Sequence, residues 1–257
     1  VEPDGSTLRT YAVKGRDATW SPDGKRLAFI AGGSTRGTVQ IWTMHADGSH
    51  VEKVTTGTRL LEEQPAWSPD GGLIAFTGRR SNGSDDAEIY TIRPNGGGLR
   101  QLTDNTTSDA APVWAPDGRS IVFTRQKPWI MDRNGAHERS LVRIGWPRQA
   151  RDLDWSPSGR SIVFAGLIGQ RGGLWRFPAD GSAEPRFIAA GLSGPSWSPD
   201  GRFIVAIGSH YDNVLEESRH IVVVVRPDGS HRRRIFIGDY IFPNLPCCPD
   251  WRPVPRR

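Results

Sequence analysis

No apolar run in the 257 residues approaches the roughly 18 to 20 consecutive positions that a membrane helix needs, so nothing in the chain reads as a membrane span. Cysteine is nearly absent. The two that occur, Cys247 and Cys248, are adjacent and give neither a disulfide framework nor the paired spacing of a zinc site. They read as two small buried side chains or, in an oxidising compartment, as a vicinal disulfide. Lysine is scarce too, with four residues (Lys14, Lys25, Lys53, Lys127) among 33 basic ones. Set against 28 acidic residues this leaves a net charge of +5, too thin a surplus to indicate nucleic acid as a partner. No basic-then-apolar leader opens the chain, which starts at Val1; a removed signal or a longer parent chain is the expectation.

Catalytic motifs are missing as well. There is no Gly-x-Ser-x-Gly elbow, His-Glu-x-x-His helix, phosphate-binding loop or dinucleotide glycine pattern. The six histidines (45, 50, 137, 210, 220 and 231) are scattered, without a close pair of metal-ligand type. The polar loop Ser81-Asn82-Gly83-Ser84-Asp85-Asp86 has clustered oxygens of the kind calcium takes, but not the alternation of an EF-hand; it reads as a solvated hairpin loop.

What the chain has in plenty is glycine (30) and proline (20), and both fall at regular places. Trp20-Ser21-Pro22-Asp23-Gly24 returns at Trp67, Trp114, Trp155 and Trp197, with Ala115 for Ser and Ser158 for Asp, and a broken copy stands at Trp251-Arg252-Pro253. Successive Trp residues are 47, 47, 41, 42 and 54 apart, near the period of a four-stranded propeller blade. A second signature interleaves with it: Asp47-Gly48, Asn95-Gly96, Asn134-Gly135, Asp180-Gly181 and Asp228-Gly229, each a hairpin-turn pair tolerant of positive φ. Six residues before those glycines stand Trp42, Tyr90, Trp129, Trp175 and Val223, all strand-favouring types. The second strand of each unit is a continuous apolar run, such as Leu73-Ile74-Ala75-Phe76, which implies that both its faces are covered.

The pattern resembles the Trp-Ser-Pro-Asp-Gly repeat of the TolB-like β-propellers, which also stand beside the catalytic domains of prolyl oligopeptidase-like and tricorn peptidases. In those peptidases the nucleophile is on a separate α/β domain, for which this chain has no room. The expectation is an all-β, single-domain, six-bladed propeller of four-stranded antiparallel blades over residues 1–257. Its last blade is shared by the N-terminal segment around Pro3-Asp4-Gly5-Ser6 and the C-terminal strand carrying Trp251, and its second strand has no evident source. In the repeat, Pro pre-sets the turn, Asp or Ser accepts a backbone hydrogen bond, Gly takes the left-handed position, and Trp wedges neighbouring blades apart.

The segments that enter each innermost strand border the central channel: Arg16-Asp17, Glu62-Glu63-Gln64, Ser108-Asp109, Arg151-Asp152 and Leu245-Pro246-Cys247-Cys248. Trp146 lies in such a segment outside the repeat positions, where it either packs locally or offers an aromatic contact. The binding candidates are therefore Arg16, Asp17, Glu62, Glu63, Asp109, Trp146, Arg151 and Asp152. The basic run His231-Arg232-Arg233-Arg234 falls on an outermost strand, where charge keeps edges from pairing with other molecules. The leading expectation is a monomeric, non-enzymatic propeller without a cofactor that binds a protein or peptide at this rim. A location outside the cytoplasm (periplasmic, secreted or cell-surface) follows from the resemblance alone. The alternative is a channel-mouth enzyme or a carbohydrate or metal binder using Asp17, Glu63, Asp109 and Asp152 as acid, base or cation ligands.

Overall fold

The computed structural model describes residues 13–32, 39–57, 60–80, 86–141, 150–212 and 217–235. They form five four-stranded sheets, each an antiparallel meander in which chain order is also strand order. The first sheet holds β1 (Arg16–Trp20), β2 (Arg26–Ala31), β3 (Gln40–His45) and β4 (Glu52–Lys53). The second holds β5 (Leu60–Trp67), β6 (Ile74–Arg80), β7 (Ala87–Ile92) and β8 (Arg100–Gln101). The third holds β9 (Ala110–Trp114), β10 (Ser120–Arg125), β11 (Lys127–Asp132) and β12 (Arg139–Ser140). The fourth holds β13 (Ala150–Trp155), β14 (Ser161–Ile168), β15 (Arg171–Pro178) and β16 (Arg186–Ala190). The fifth holds β17 (Leu192–Trp197), β18 (Ile204–Asp212), β19 (Glu217–Val225) and β20 (Arg233–Ile235).

Every innermost strand ends on its repeat Trp, because the turn that follows is chemically closed. At the first copy Ser21 accepts the Arg26 N–H on its Oγ (2.9 Å) and donates to Asp23 Oδ1 (2.6 Å), while Asp23 also accepts the Lys25 N–H (3.1 Å). The glycine of each copy (24, 71, 118, 159, 201) has φ of 66, 67, 68, 70 and 69°, a left-handed conformation that a Cβ disfavours. Where Ser158 replaces Asp, its hydroxyl reaches the Arg160 N–H only at 3.4 Å, a weaker clasp.

The second strands are covered on both sides, as their continuous apolarity implies. On β6, Phe76 packs among Ile30, Ile41 and Val54 of the first sheet, whereas neighbouring Ala75 faces Trp114, Ile121 and Phe123 of the third. Trp67, Trp114, Trp155 and Trp197 are 5 to 9% exposed and each lies in a cluster joining its own sheet to the preceding one. An aromatic side chain of that size buries about 150 to 250 Å², a gross gain of ~4 to 6 kcal/mol before entropy is subtracted.

The described residues thus make five blades rather than the six expected. The repeat is complete only five times; the sixth unit was to be assembled from residues 1–12 and the strand at Trp251, and both lie outside the described residues. Among the described residues, Leu27, Phe29 and Met44 of the first sheet cluster with Val13, Trp20, Ala31 and Trp42 of the same segment. The outermost strands are short, two residues in β4, β8 and β12, so little open sheet edge is presented there. Arg233 and Arg234 occupy β20 and are exposed, in keeping with an edge-protecting role for that basic run.

Candidate binding site at the channel mouth

Three residues before each Trp the innermost strand leaves its register. The shift falls between Arg16 and Thr19, Glu63 and Ala66, Arg151 and Asp154, and Ser193 and Ser196; in the third sheet it falls opposite Val122 to Thr124. The residue at the kink is left-handed every time: Asp17 (φ 52°), Gln64 (54°), Ala111 (53°), Asp152 (53°) and Gly194 (55°). Such bulges re-aim a strand, and a non-glycine residue there carries roughly 1 kcal/mol of backbone strain. These kinks bring one position from every blade to the axis. Asp17, Gln64, Ala111 and Asp152, together with Pro65, Pro112 and Pro195, line a central channel with a cavity of about 160 Å³. Proline suits this innermost edge, since it leaves no unpaired N–H there.

The kink residues also link blade to blade. Asp17 accepts a hydrogen bond from the Gln64 backbone N–H. Gln64 Oε1 in turn accepts the Ala111 N–H (3.0 Å) and the Thr77 hydroxyl (3.0 Å). Asp152 Oδ2 accepts the Gly194 N–H at 3.2 Å. In three of the blades, then, a side-chain oxygen at this position holds the same position of the next blade. Ala111 and Gly194 have no side-chain oxygen to offer.

Burial pushes the Asp17 carboxyl up from its ordinary range; Arg16 and the Gln64 N–H oppose this, while the charges of Glu63 and Asp152 add to it. Burial likewise raises Asp152, opposed by the Gly194 N–H and by Arg151. The channel mouth therefore holds two carboxyl groups, from the first and fourth blades, each reluctant to ionise.

Outside the channel proper the rim is solvated. Arg16 Nη2 reaches Glu63 Oε1 at 3.3 Å across the first and second blades, with side-chain exposures of 42 and 43%. Arg16 also lies 3.8 Å from Asp17. Arg151 is exposed on the fourth blade. These residues, with Asp17 and Asp152, are brought to one face.

Glu62 and Asp109 are placed differently. Both are fully buried. Each stands five residues before its Trp and turns into the interface with the preceding blade. Glu62 accepts the Ile41 N–H (2.9 Å) and the Thr55 hydroxyl. Asp109 takes both ends of the Arg125 guanidinium (2.6 and 2.7 Å) and the Asn105 amide (2.9 Å), and Arg125 also pairs with Glu138 (2.7 Å). Asp109 and Glu138 hold the Arg125 proton more firmly than usual. Burial raises Glu88, against the Thr103 hydroxyl (2.6 Å) and the Asn105 N–H (2.9 Å) that bond it.

Trp146, Cys247-Cys248 and positions 81–85 of the polar loop lie outside the described residues. Among the described residues no group of three or more His, Cys, Asp or Glu side chains could hold a metal ion. His45 stacks on His50 at 4.3 Å and His137 Nδ1 lies 2.7 Å from Asp132. The sequence placed Gln64 in a segment bordering the channel but missed the rest of its wall: Ala111, Pro65, Pro112 and Pro195. The signal available was the fixed offset of three from each Trp, with proline next in three of five copies.

The TolB beta propeller domain family matches residues 61–240. The Agrobacterium fabrum protein Atu1656 is 30% identical over 239 residues, covering 92% of this chain; the chain spans 60% of that relative's length. Among solved structures, a protein of Agrobacterium tumefaciens assigned as TolB superposes with a TM-score of 0.71 at 26% identity, covering 87% of this chain and 80% of its own. TolB of Acinetobacter baumannii gives 0.69 at 20% identity, over 84% and 52% of the two chains. The same fold carries chemistry elsewhere: an oligogalacturonate lyase of Vibrio parahaemolyticus gives 0.61 at 12% identity, over 86% and 66%. The family match over most of the chain, on a meander of Trp-wedged blades, makes this chain a member of the TolB β-propeller domain family.

Proposed function

We propose that the chain is a non-catalytic β-propeller that binds a protein or peptide across the rim of its channel. Arg16, Asp17, Glu63, Arg151 and Asp152 are the contacts, and Trp146 joins them. The supporting observation is the five-fold kink. It presents a shallow mouth, floored by prolines and bordered by exposed charge of both signs, on a backbone already locked blade to blade. A rigid display of that kind loses little ordering entropy on binding. A channel of about 160 Å³ is small beside the 300 to 1,000 Å³ typical of small-molecule pockets, which favours a partner lying over it. Family membership supports a location outside the cytoplasm.

The second reading, a channel-mouth enzyme or a carbohydrate or cation binder, rests on the paired carboxyl groups of Asp17 and Asp152, both with raised proton affinity. One experiment separates the two. Immobilised chain is used to capture partners from a cell-envelope extract, beside a Glu63→Lys/Arg151→Glu variant and an Asp17→Asn/Asp152→Asn variant. The rim reading expects a discrete protein that the charge reversal releases while the circular dichroism spectrum is unchanged. Equal capture by wild type and the charge-reversed variant contradicts it.

A further inference from the structure

The face opposite the rim carries the turns between first and second strands and between third and fourth strands, since antiparallel meanders return these to one end. Between the second and third blades this face opens into a cleft of about 690 Å³. Its floor includes Leu73 and Leu102, and its walls carry Arg93 and Arg100 from the second blade and Arg119 and Arg133 from the third. The arginines reach over the gap. Arg100 Nη2 donates to the Asn134 carbonyl (3.0 Å), and Arg133 Nη2 lies 3.5 Å from Asp70 Oδ2. No ion pair involves the guanidinium of Arg93 or of Arg119 among the described residues. One carboxylate, Asp132, lines the cleft, and its Oδ2 is 2.7 Å from His137 Nδ1.

An independent feature of the sequence agrees with this charge. In all five second-hairpin turns the first residue uses its side-chain oxygen to accept the N–H two residues on: Asp47 (2.9 Å), Asn95 (3.0 Å), Asn134 (3.0 Å), Asp180 (2.9 Å) and Asp228 (2.8 Å). Asp and Asn perform that bond equally well. The two turns that flank the cleft carry Asn, and the three that do not carry Asp. The next partner changes in step. Ser49, Ser182 and Ser230 give a hydroxyl to their Asp, while Gly97 and Ala136 follow the two Asn residues and have none to give. Negative charge is therefore missing from these turns only where four guanidinium groups converge.

We infer that this cleft binds a small multivalent oxyanion, phosphorylated or polycarboxylate, between the second and third blades. Guanidinium forks match both groups in bidentate fashion, and the volume lies in the range of small-ligand sites. The apolar floor accommodates the carbon skeleton of such a ligand.

The test is calorimetric titration of the full chain with tripolyphosphate and, separately, citrate at fixed ionic strength. The variants are Arg93→Ala/Arg119→Ala and Asn95→Asp/Asn134→Asp. The second should fold as the wild type does, because Asp already serves the other three turns, and it supplies the decision if the arginine variant does not fold. The expected result is saturable binding at one site per chain, weakened at least about tenfold in both variants. The tighter of the two probes assigns phosphate or carboxylate as the recognised group. Absence of saturable binding, or an affinity unchanged in Asn95→Asp/Asn134→Asp, overturns the inference.

Discussion

At the residue scale the fold depends on a few side chains repeated in register. Trp67 is 7% exposed and packs between Ala28, Ile30 and Phe76. Trp67→Ala should lower stability by about 3 to 5 kcal/mol through the cavity it leaves. A chemical unfolding midpoint equal to wild type would mean the indole is not a wedge. Asp152 makes a subtler prediction. Burial raises its carboxyl above the ordinary value of 3.8, so ionisation opposes folding as pH rises through the elevated folded value. Asp152→Asn keeps an oxygen for the Gly194 N–H and should be more stable than wild type at pH 7, with the advantage fading below about pH 4. A thermal melt series across that range checks it; a destabilised variant at neutral pH would show that the charge itself is needed. Asp23, Asp70 and Asp200 behave in the opposite sense. The serine hydroxyls of their turns hold them below the ordinary range, so what they contribute is present above 3.8 and is lost as pH falls through their folded values.

At the scale of the strand and blade, the same five positions organise both packing and site. Asp109 pairs with Arg125 in the interface between second and third blades, and neither Asn105 nor Glu138 replaces both of its oxygens. Asp109→Ala should therefore lower stability by roughly 3 kcal/mol, as breaking a buried ion pair does; guanidinium denaturation with a change under about 1 kcal/mol would argue that Glu138 alone suffices. The blade itself was legible beforehand. The Trp copies mark the ends of β1, β5, β9, β13 and β17, and the residues six before each turn glycine all fall on third strands. Glu62 and Asp109 were not legible as interface residues. Adjacent side chains on a strand point to opposite sides, and the bulge between Glu63 and Ala66 resets the alternation before the Trp that anchors the count. The kink position was hidden for another reason. Asp17, Gln64, Ala111, Asp152 and Gly194 share a backbone conformation and no common chemistry.

Over the whole molecule, covered sheet faces leave loops and turns as the variable surface. One end carries the channel mouth with its mixed charge; the other carries the arginine cleft between the second and third blades. The two proposed sites lie on opposite faces, so occupancy of one leaves the other open. The blade number read from the repeats exceeded the five sheets described, because the sixth was inferred from partial copies of the repeat at the two ends of the sequence, neither of which carries a whole unit. Hydrogen–deuterium exchange of the chain with and without its captured partner shows where that partner sits. Binding across the channel mouth gives protection centred on the entries to β1, β5 and β13, at Arg16-Asp17, Glu63-Gln64 and Arg151-Asp152. Protection confined to the opposite-face turns or to the outer strands, with those three segments exchanging as in the free chain, would rule out binding at the channel mouth.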